Sequence, residues 1–364
     1  MNKNKEVDLI ISRRGVSFGA GLLALSAFGL SGCQNSNSTP TKPLTDANTK
    51  AGISAGGDEK FSGSTFAFDT LITLFTYKDQ SVIDACIDKI NHFDQILSSH
   101  KEGADCWKIN HAEGEPCKVD PNTVSCIKES LKYCEKTQGI FDISIGSVSL
   151  LWDFVEGVKP SDEAIAEGLK HVDYKKISII DDETIQLLDP HAAIDLGGSA
   201  KGWIADQLVK IYKDAGAQGI INLGGNVYCV GTKPDNTPYK VAIVDPNDPQ
   251  GDYLMVVECA DASVVTSGLY ERFFVKNGKK YYHILDTHTG YPAETDLLAD
   301  TIIGPTSCEC DCYSTTLFIM GHDKGLEFIE QHAELEALFI DKNNNYAFTS
   351  NFENKYPYTF NKAK

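Results

Sequence analysis

The order of strand-like and helix-like patterns limits the folds that this chain can adopt more than any other feature of its sequence does. Short apolar runs rich in β-branched residues predict strands, and apolar residues spaced three and four apart predict amphipathic helices. The two kinds of pattern are mixed without strict βαβ alternation, which favours an α+β fold of irregular α/β layers. We predict a single domain with a mixed sheet and packed helices. Predicted strands cover 71–76, 219–223, 227–230, 239–244, 281–285 and 301–303; predicted helices cover 81–97, 121–138, 199–215 and 314–320.

Residues 1–33 have the pattern of an export signal and are not predicted to join the fold. Arg13 and Arg14 precede an apolar stretch that is too short, and too rich in Gly, Ala and Ser, for a membrane-spanning helix. The paired arginines resemble those of a twin-arginine signal. The tetrad 30–33 resembles a bacterial lipobox, so we predict that Cys33 receives lipid. A plain signal peptide with an incidental cysteine is the alternative.

Residues 34–60 are polar and contain almost no large apolar side chain. Such a segment cannot bury enough surface to order itself, so it is predicted to be a disordered tether. The folded domain is then expected to span 61–364. Together with a lipidated cysteine, this arrangement predicts a protein held at the cell membrane, on its extracytoplasmic face, by the lipid anchor only.

The net charge of the chain limits the classes of partner that it can bind. The formal net charge is −18, and removing residues 1–33, which carry four basic and two acidic side chains, leaves −20. Because nucleic-acid binding depends on neutralising phosphates, a surface this acidic argues against a nucleic-acid partner. It argues equally against direct binding to anionic lipid.

Ten of the 11 cysteines follow Cys33, and three of them alternate at Cys308, Cys310 and Cys312. Zinc sites usually use two cysteine pairs with two to four residues between their members, which this run does not provide. Cysteines at every second position share one side of a strand, so the run predicts a packed strand face. A thiol-rich metal carrier remains an alternative.

A glycine-rich turn at 195–202 is the first candidate for chemistry. It lies between an apolar strand end and a predicted helix, where free N–H groups and the helix dipole suit a phosphate or pyrophosphate. Asp195 can accept a hydrogen bond from a ring edge, Gly198 lets a ligand approach the backbone, and Lys201 adds a positive charge. A plain structural turn is the competing interpretation.

Two further groups of polar residues are candidates. Asp311 and Thr315 are four residues apart, so on a helix both oxygens can reach one hard cation, although a helix cap gives the same pattern. His283 lies in the polar segment 281–292 and can act as a base near neutral pH, although a half-buried structural histidine is as common. The segments 139–146, 151–154, 222–226 and 264–268 can wall a ligand or be ordinary core and turns.

Taken together and in this order, these segments resemble the ApbE-type FAD:protein FMN transferases, a family of bacterial lipoproteins. The resemblance covers nearly all of 61–360 and is strongest at 195–202, 221–226, 266–268, 283–292 and 311–321. It implies that 61–364 is a flavin transferase catalytic domain that binds FAD and Mg²⁺. The implied metal ligands are Asp311, Thr315 and the carbonyl of Gly198. The implied flavin and adenine contacts are Phe68, His100, Ile140, Phe141, Asp142, Asp195, Lys201 and His283.

The resemblance also implies the reaction. FMN would be attached by a phosphoester bond to a threonine of an exported acceptor protein, AMP would leave, and His283 or Asp286 would take the hydroxyl proton. The chain departs from the family pattern where it has His100, Ser147, Leu269 and Thr287. Two alternatives remain open: an Mg²⁺-dependent FAD pyrophosphatase that gives FMN and AMP, and a non-catalytic FAD-binding lipoprotein.

Overall fold

The computed structural model of the chain describes residues 9–10, 59–249 and 253–361. The predicted export signal apart from residues 9–10, the lipidation site Cys33 and the tether up to residue 58 lie outside these ranges, and their predictions stand untested. Within the described ranges, no helix combines the length and the apolar character needed to cross a bilayer.

The chain forms the elements that follow, numbered in chain order. The strands are β1 (Leu9–Ile10), β2 (Phe61–Ala67), β3 (Thr70–Thr76), β4 (Cys117–Lys118), β5 (Ile177–Asp181), β6 (Thr184–Leu187), β7 (Gly219–Leu223), β8 (Asn226–Val230), β9 (Tyr239–Val244), β10 (Tyr253–Cys259), β11 (Ala262–Gly268), β12 (Phe273–Lys276), β13 (Lys279–Tyr282), β14 (Leu297–Gly304), β15 (Glu336–Asp341), β16 (Tyr346–Phe348) and β17 (Tyr358–Phe360). The helices are α1 (Gln80–Ile96), α2 (Asp105–Asn110), α3 (Pro121–Lys136), α4 (Gly146–Ser149), α5 (Asp162–Leu169), α6 (Ala200–Asp214), α7 (Ser307–Met320), α8 (His322–Ile329) and α9 (Phe352–Lys355).

An eight-stranded sheet in the order β16-β15-β14-β11-β8-β7-β3-β2 forms the centre of the fold, and all of its pairings are antiparallel. A second sheet, β1-β9-β10-β17, is mixed, since β1 pairs with β9 in parallel and the other pairs are antiparallel. Sheets of mostly antiparallel strands with helices on one side define the α+β class, as predicted.

The central sheet is covered on both faces. Successive side chains of each strand point to opposite faces, so each face contributes to a separate core. On β3, Ile72 and Leu74 belong to the core beneath the helices, whereas Phe75 belongs to the core between the two sheets. Helices α1, α6, α7 and α8 cover the first face, and the four-stranded sheet covers the second. The molecule is therefore a three-layer structure, with α6 and α7 packed against each other over the middle of the central sheet.

A small aromatic cluster stands beside these layers. Strands β12 and β13 form a hairpin whose turn, Asn277-Gly278, has both residues at positive φ (52° and 76°), as a two-residue type I′ turn requires. From this hairpin, Phe274 and Tyr281 pack against Trp152. The cluster fixes the hairpin and the loop after α4 as one unit.

Three predictions about local structure were wrong. Cys308, Cys310 and Cys312 lie on α7, which begins at Ser307 rather than at residue 314. All three thiols are buried, as a packed face requires, but α7 is enclosed nearly all round and so lacks the one-sided apolar stripe that identifies a helix. The strand predicted at 281–285 ends at Tyr282. The first helix is capped by Asp79 rather than by Ser81, because the carboxylate of Asp79 accepts from the N–H of Ser81.

Candidate functional site

A cleft opens where the N-terminal end of α6 and the middle and C-terminal turns of α7 meet the ends of β8 and β11. About 940 Å³ of space lies between its atoms, a figure that includes open solvent. The cleft brings together nine of the predicted site residues: Ile140, Phe141, Asp142, Asp195, Gly198, Lys201, His283, Asp311 and Thr315.

The turn that precedes α6 forms one wall of the cleft. Within it, Asp195 accepts from the N–H of Gly197 (2.9 Å) and from the hydroxyl of Ser149 (2.7 Å), so both oxygens of its carboxylate are held. The turn then passes through Gly198 into α6, and Lys201 lies in the first turn of that helix. The positive end of the α6 dipole and a lysine side chain thus face the same space, an arrangement that attracts a phosphate.

Asp311 and Thr315 lie one helical turn apart on α7, opposite the Gly198 turn. A β-carbon placed on Gly198 would lie 3.3 Å from the hydroxyl oxygen of Thr315 and 3.0 Å from the ring of Phe141. A side chain at position 198 would therefore crowd Thr315 and Phe141, whereas the glycine backbone leaves their positions undisturbed. The two side-chain oxygens and the adjacent backbone match the few oxygen ligands that Mg²⁺ takes from a protein when phosphates supply others.

The carboxylate of Asp311 is buried and held by α6. One oxygen accepts from the N–H of Gly202 (2.8 Å), and the other lies 3.8 Å from the Nζ of Lys201. Burial raises the pKa of Asp311, while Lys201 and the Gly202 N–H act in the opposite direction. A divalent cation bound to the Asp311 carboxylate would favour the ionised form of Asp311. Metal binding and ionisation of Asp311 therefore support each other.

Asp206 on α6 accepts hydrogen bonds from the start of α7, just as Asp311 on α7 accepts one from the start of α6. The two oxygens of Asp206 accept from the N–H groups of Ser307 (2.8 Å) and Cys308 (2.9 Å), which are the first two residues of α7. Asp311 accepts in turn from the N-terminal region of α6. Each helix thus supplies the carboxylate that caps the other, and the two caps fix the position of α7 relative to α6.

Replacing Asp206 with alanine should lower turnover about 10- to 100-fold, the range found when residues that support metal ligands are lost. The reason is that two N–H groups at the start of α7 lose their acceptor, and Asp311 and Thr315 shift with the helix. Steady-state turnover measures this loss. Asp206→Asn retains one acceptor oxygen and should lie between wild type and the alanine variant. Equal turnover in all three proteins would contradict the positioning role.

A pH series tests the same residue without relying on activity. Burial raises the pKa of Asp206 from 3.8 to about 6, against the opposing N–H groups of Cys308 and Ser307. Since the folded state holds this proton more tightly than the unfolded state, the stability it contributes is present below pH ~4 and is lost as the pH rises through ~6. The unfolding free energy of wild type relative to Asp206→Asn should fall by up to about 3 kcal/mol between pH 4 and 7. If the difference in unfolding free energy between wild type and Asp206→Asn did not change with pH, Asp206 would not have a raised pKa in the folded protein.

His283 and Asp142 also reach the cleft. His283 is half-buried, and its backbone N–H donates to the carbonyl of Arg272 (3.1 Å), which places the imidazole at the base of the β12–β13 hairpin. Asp142 accepts from the N–H and hydroxyl of Ser144 and from the N–H of Tyr174, and burial raises its pKa. Asp142 therefore ties its own loop to Tyr174, whereas His283 lines the cleft.

Three predicted residues do not occur among the described residues that line the cleft: Phe68, His100 and Asp286. Phe68 lies in the β2–β3 turn at positive φ, with its N–H donating to Asp94 (2.9 Å). His100 is exposed in the loop after α1. The carboxylate of Asp286 accepts from the N–H of His288 (2.7 Å) and shapes the turn beside the cleft.

Sequence reasoning missed three residues that the structure brings to the site or to its support. Asn226 and Glu271 line the cleft, and Asp206 fixes α7. Asn226 falls in the segment 222–226, for which the sequence left two interpretations, a ligand-binding wall and an ordinary turn. Asp206 gave no signal, because its partners lie 101 and 102 residues away in the chain.

Comparison with known proteins adds to this geometry. The model of the ApbE family matches residues 68–339. The FAD:protein FMN transferase of Treponema pallidum is 28% identical over 305 residues, covering 77% of this chain and 84% of that protein. One from Klebsiella pneumoniae is 29% identical over 289 residues, covering 77% of this chain and 88% of that protein. The crystal structure of the ApbE protein of Thermotoga maritima superposes with a TM-score of 0.75 at 30% identity, covering 81% of this chain and 99% of that one.

Proposed function

This chain belongs to the ApbE family and is an FAD:protein FMN transferase, and we propose that it uses Mg²⁺ to cleave FAD and to attach FMN to a threonine of an exported acceptor protein. One observation carries the proposal. Asp311 and Thr315 stand one turn apart on α7 and face the Gly198 backbone, at the N-terminal end of α6, within a single cleft.

Different residues of the cleft bind different parts of the substrate. Asp311, Thr315 and the carbonyl of Gly198 would hold Mg²⁺, which when bound supplies neutralisation of the pyrophosphate charge. Lys201 and the N-terminal end of α6 add electrostatic stabilisation as negative charge develops on the leaving phosphate. Phe141, packed against Gly198, offers an apolar ring surface on the same wall of the cleft.

The chemical step is a displacement at phosphorus. The threonine oxygen of the acceptor forms a bond to the FMN phosphorus, the P–O–P bond of FAD breaks, and AMP leaves with the bridging oxygen. His283 is proposed to take the hydroxyl proton, since it lines the cleft and imidazole titrates near neutral pH. Asp286, whose carboxylate accepts from the N–H of His288, is proposed to act only through the shape of its turn.

The location of the enzyme is part of the proposal. The paired arginines Arg13 and Arg14, the apolar stretch and the tetrad ending in Cys33 together support export and a lipid anchor on the extracytoplasmic face of the membrane. The acceptor would then lie on the same side of the membrane. Mass spectrometry of the membrane fraction would detect a lipid-modified Cys33 as the N-terminal residue.

Intact mass spectrometry tests the reaction directly. We would incubate protein lacking residues 1–33 with FAD, Mg²⁺ and a purified flavin-acceptor domain that contains a target threonine. The acceptor should gain the mass of FMN minus water with Mg²⁺ present and gain nothing with EDTA. Replacing the target threonine with valine should also prevent the gain.

The other outcomes separate the alternatives. If the acceptor gains no mass while FAD is converted to FMN and AMP, the enzyme is an FAD pyrophosphatase. If FAD stays intact but its fluorescence is quenched on binding, the chain is a flavin-binding lipoprotein. A thiol-rich metal carrier gains no support, because no group of three His, Cys, Asp or Glu side chains in the described part of the chain is placed to hold a metal.

A further inference from the structure

The exposed large apolar side chains of this protein are concentrated near the cleft. Ten occur among the described residues, and seven of them lie on three segments: the β2–β3 hairpin, the loop after α4 and the β12–β13 hairpin. These seven are Phe66, Leu71, Leu151, Val155, Val158, Phe273 and Val275; the other three are Ile180, Leu188 and Tyr346. Single exposed apolar residues need no explanation, but a concentration at one site points to an interaction surface.

The two hairpins among these three segments adjoin the mouth of the cleft. Glu271 and His283 line the cleft at the two ends of the β12–β13 hairpin, so the hairpin rises directly from its rim. The β2–β3 turn contacts the same rim, because Thr70 packs on Gly224, a residue of the cleft wall. An ion pair between Asp69 and Arg272 (3.9 Å) joins the two hairpins.

The exposed side chains are displayed by ordered structure. On β2 and β3, Phe66 and Leu71 are cross-strand partners, and Phe66 is 71% exposed. On the other hairpin, Phe274 packs inward against Trp152 and Phe154, so that Val275 (62% exposed) points away from this contact.

The loop after α4 is tied to the same hairpin. Its Gly157 lies against the ring of Phe274, and its residues Asp153 and Val158 form a β-bridge. Val155, between them, is 92% exposed. A rigid apolar surface of this kind costs little entropy when a partner binds it.

Charge distinguishes the β12–β13 hairpin from the rest of the protein. The segment 272–282 contains four basic residues and no acidic residue, whereas the whole chain has 33 basic and 51 acidic residues. An acidic partner would be repelled by most of this protein and attracted at this hairpin. Charge complementarity of this kind selects the orientation in which a partner approaches.

We propose that Phe66, Leu71, Val155, Phe273 and Val275, with the basic side chains of 272–282, form the surface on which the flavin-acceptor protein docks. The proposal rests on the proposed function, since FMN transfer requires a protein hydroxyl to enter this cleft. The surface, named here the acceptor rim, fits a folded partner that carries apolar side chains beside its target threonine and acidic side chains opposite the hairpin.

The test compares rim variants with matched controls. Val155→Asp and Val275→Asp place charge on the rim, and Ile180→Asp and Leu188→Asp place the same charge at two other exposed apolar residues (50% and 59% exposed, the second close to the 62% of Val275) on another part of the surface. Each rim variant should raise the KM for the flavin-acceptor domain at least ~10-fold, as loss of a central contact does. FAD affinity, read from flavin fluorescence, should stay as in wild type for all four variants.

A charge series provides a second readout. Lys276→Glu with Lys279→Glu should raise the acceptor KM further and remove part of its dependence on ionic strength. An unchanged acceptor KM in the rim variants, or an equal rise in the controls, overturns the docking proposal alone. So does a change confined to self-association of the chain. If wild-type protein transfers no FMN to any acceptor, the proposed function fails and the acceptor rim fails with it.

Discussion

Replacing Asp311 with alanine should lower FMN transfer at least ~1000-fold, because the site loses its only side-chain carboxylate among the proposed metal ligands. The remaining oxygens, from Thr315 and Gly198, are neutral and bind Mg²⁺ weakly against water. Lys201, which lies 3.8 Å from Asp311, would also lose its anionic neighbour and be free to bind phosphate alone. Transfer to the acceptor domain is measured by intact mass at several Mg²⁺ concentrations.

The asparagine variant separates metal binding from folding. Asp311 also accepts from the N–H of Gly202, so the alanine change removes a helix cap worth about 1 kcal/mol. Asp311→Asn keeps an oxygen for that N–H but lacks the charge. We expect it to unfold at nearly the wild-type temperature and yet to be as inactive as the alanine variant. Full Mg²⁺-dependent transfer by either variant would show that the metal assignment is wrong.

Replacing Gly202 with alanine should reduce activity about 100-fold and destabilise the fold by roughly 1–3 kcal/mol. Gly202 lies where α6 crosses the start of α7, and a β-carbon there would be 2.4 Å from the carbonyl oxygen of Ser307 and 2.6 Å from the Cα of Cys308. Both contacts are with backbone, so α7 must move by about 1 Å. Displacement of this size at a catalytic site lowers rates steeply.

A second helical glycine serves as the control. Gly325 is buried in α8, and the tightest contact of a β-carbon there would be with the edge of the Phe339 ring at 3.1 Å, while the carbonyl oxygen of Leu317 would lie at an ordinary contact distance of 3.4 Å. The ring can shift slightly, and alanine favours the helix by about 1 kcal/mol over glycine, so Gly325→Ala should be close to neutral. Thermal unfolding and FMN transfer are measured on both variants. Similar behaviour of the two would mean that the α6–α7 crossing does not control the site.

The parts of the fold that sequence predicted well are those in which local pattern and final environment agree. The strands predicted at 219–223 and 239–244 have the observed bounds of β7 and β9, because their β-branched residues are buried in the sheets. Asp120 and Pro121 open α3 as a cap and first residue should. The start of α7 was missed because burial nearly all round removes the periodicity on which helix prediction depends.

The site was predictable as far as its residues form short motifs. The turn at 195–202 and the pair Asp311 and Thr315 stand out in sequence, and the structure brings them into one cleft. Their mutual support was not predictable, because the carboxylate of Asp206 reaches an N–H group 101 residues away. Nor was the placement of Asp286, whose side chain is retained by the turn that follows it.

The strand order of the central sheet has a consequence for how the enzyme acquires its activity. The strands nearest the two site helices, β8 and β11, pair with β7 and β14, while β3, from the beginning of the domain, pairs with the other edge of β7. Most of these contacts join distant parts of the chain, which is the property that slows folding. The cleft walls, drawn from residues 140 to 319, thus meet only after these strands have paired. A chain interrupted during synthesis before α7 lacks Asp311 and Thr315 and so cannot complete the cleft, and FAD that binds only the folded chain would stabilise the completed molecule.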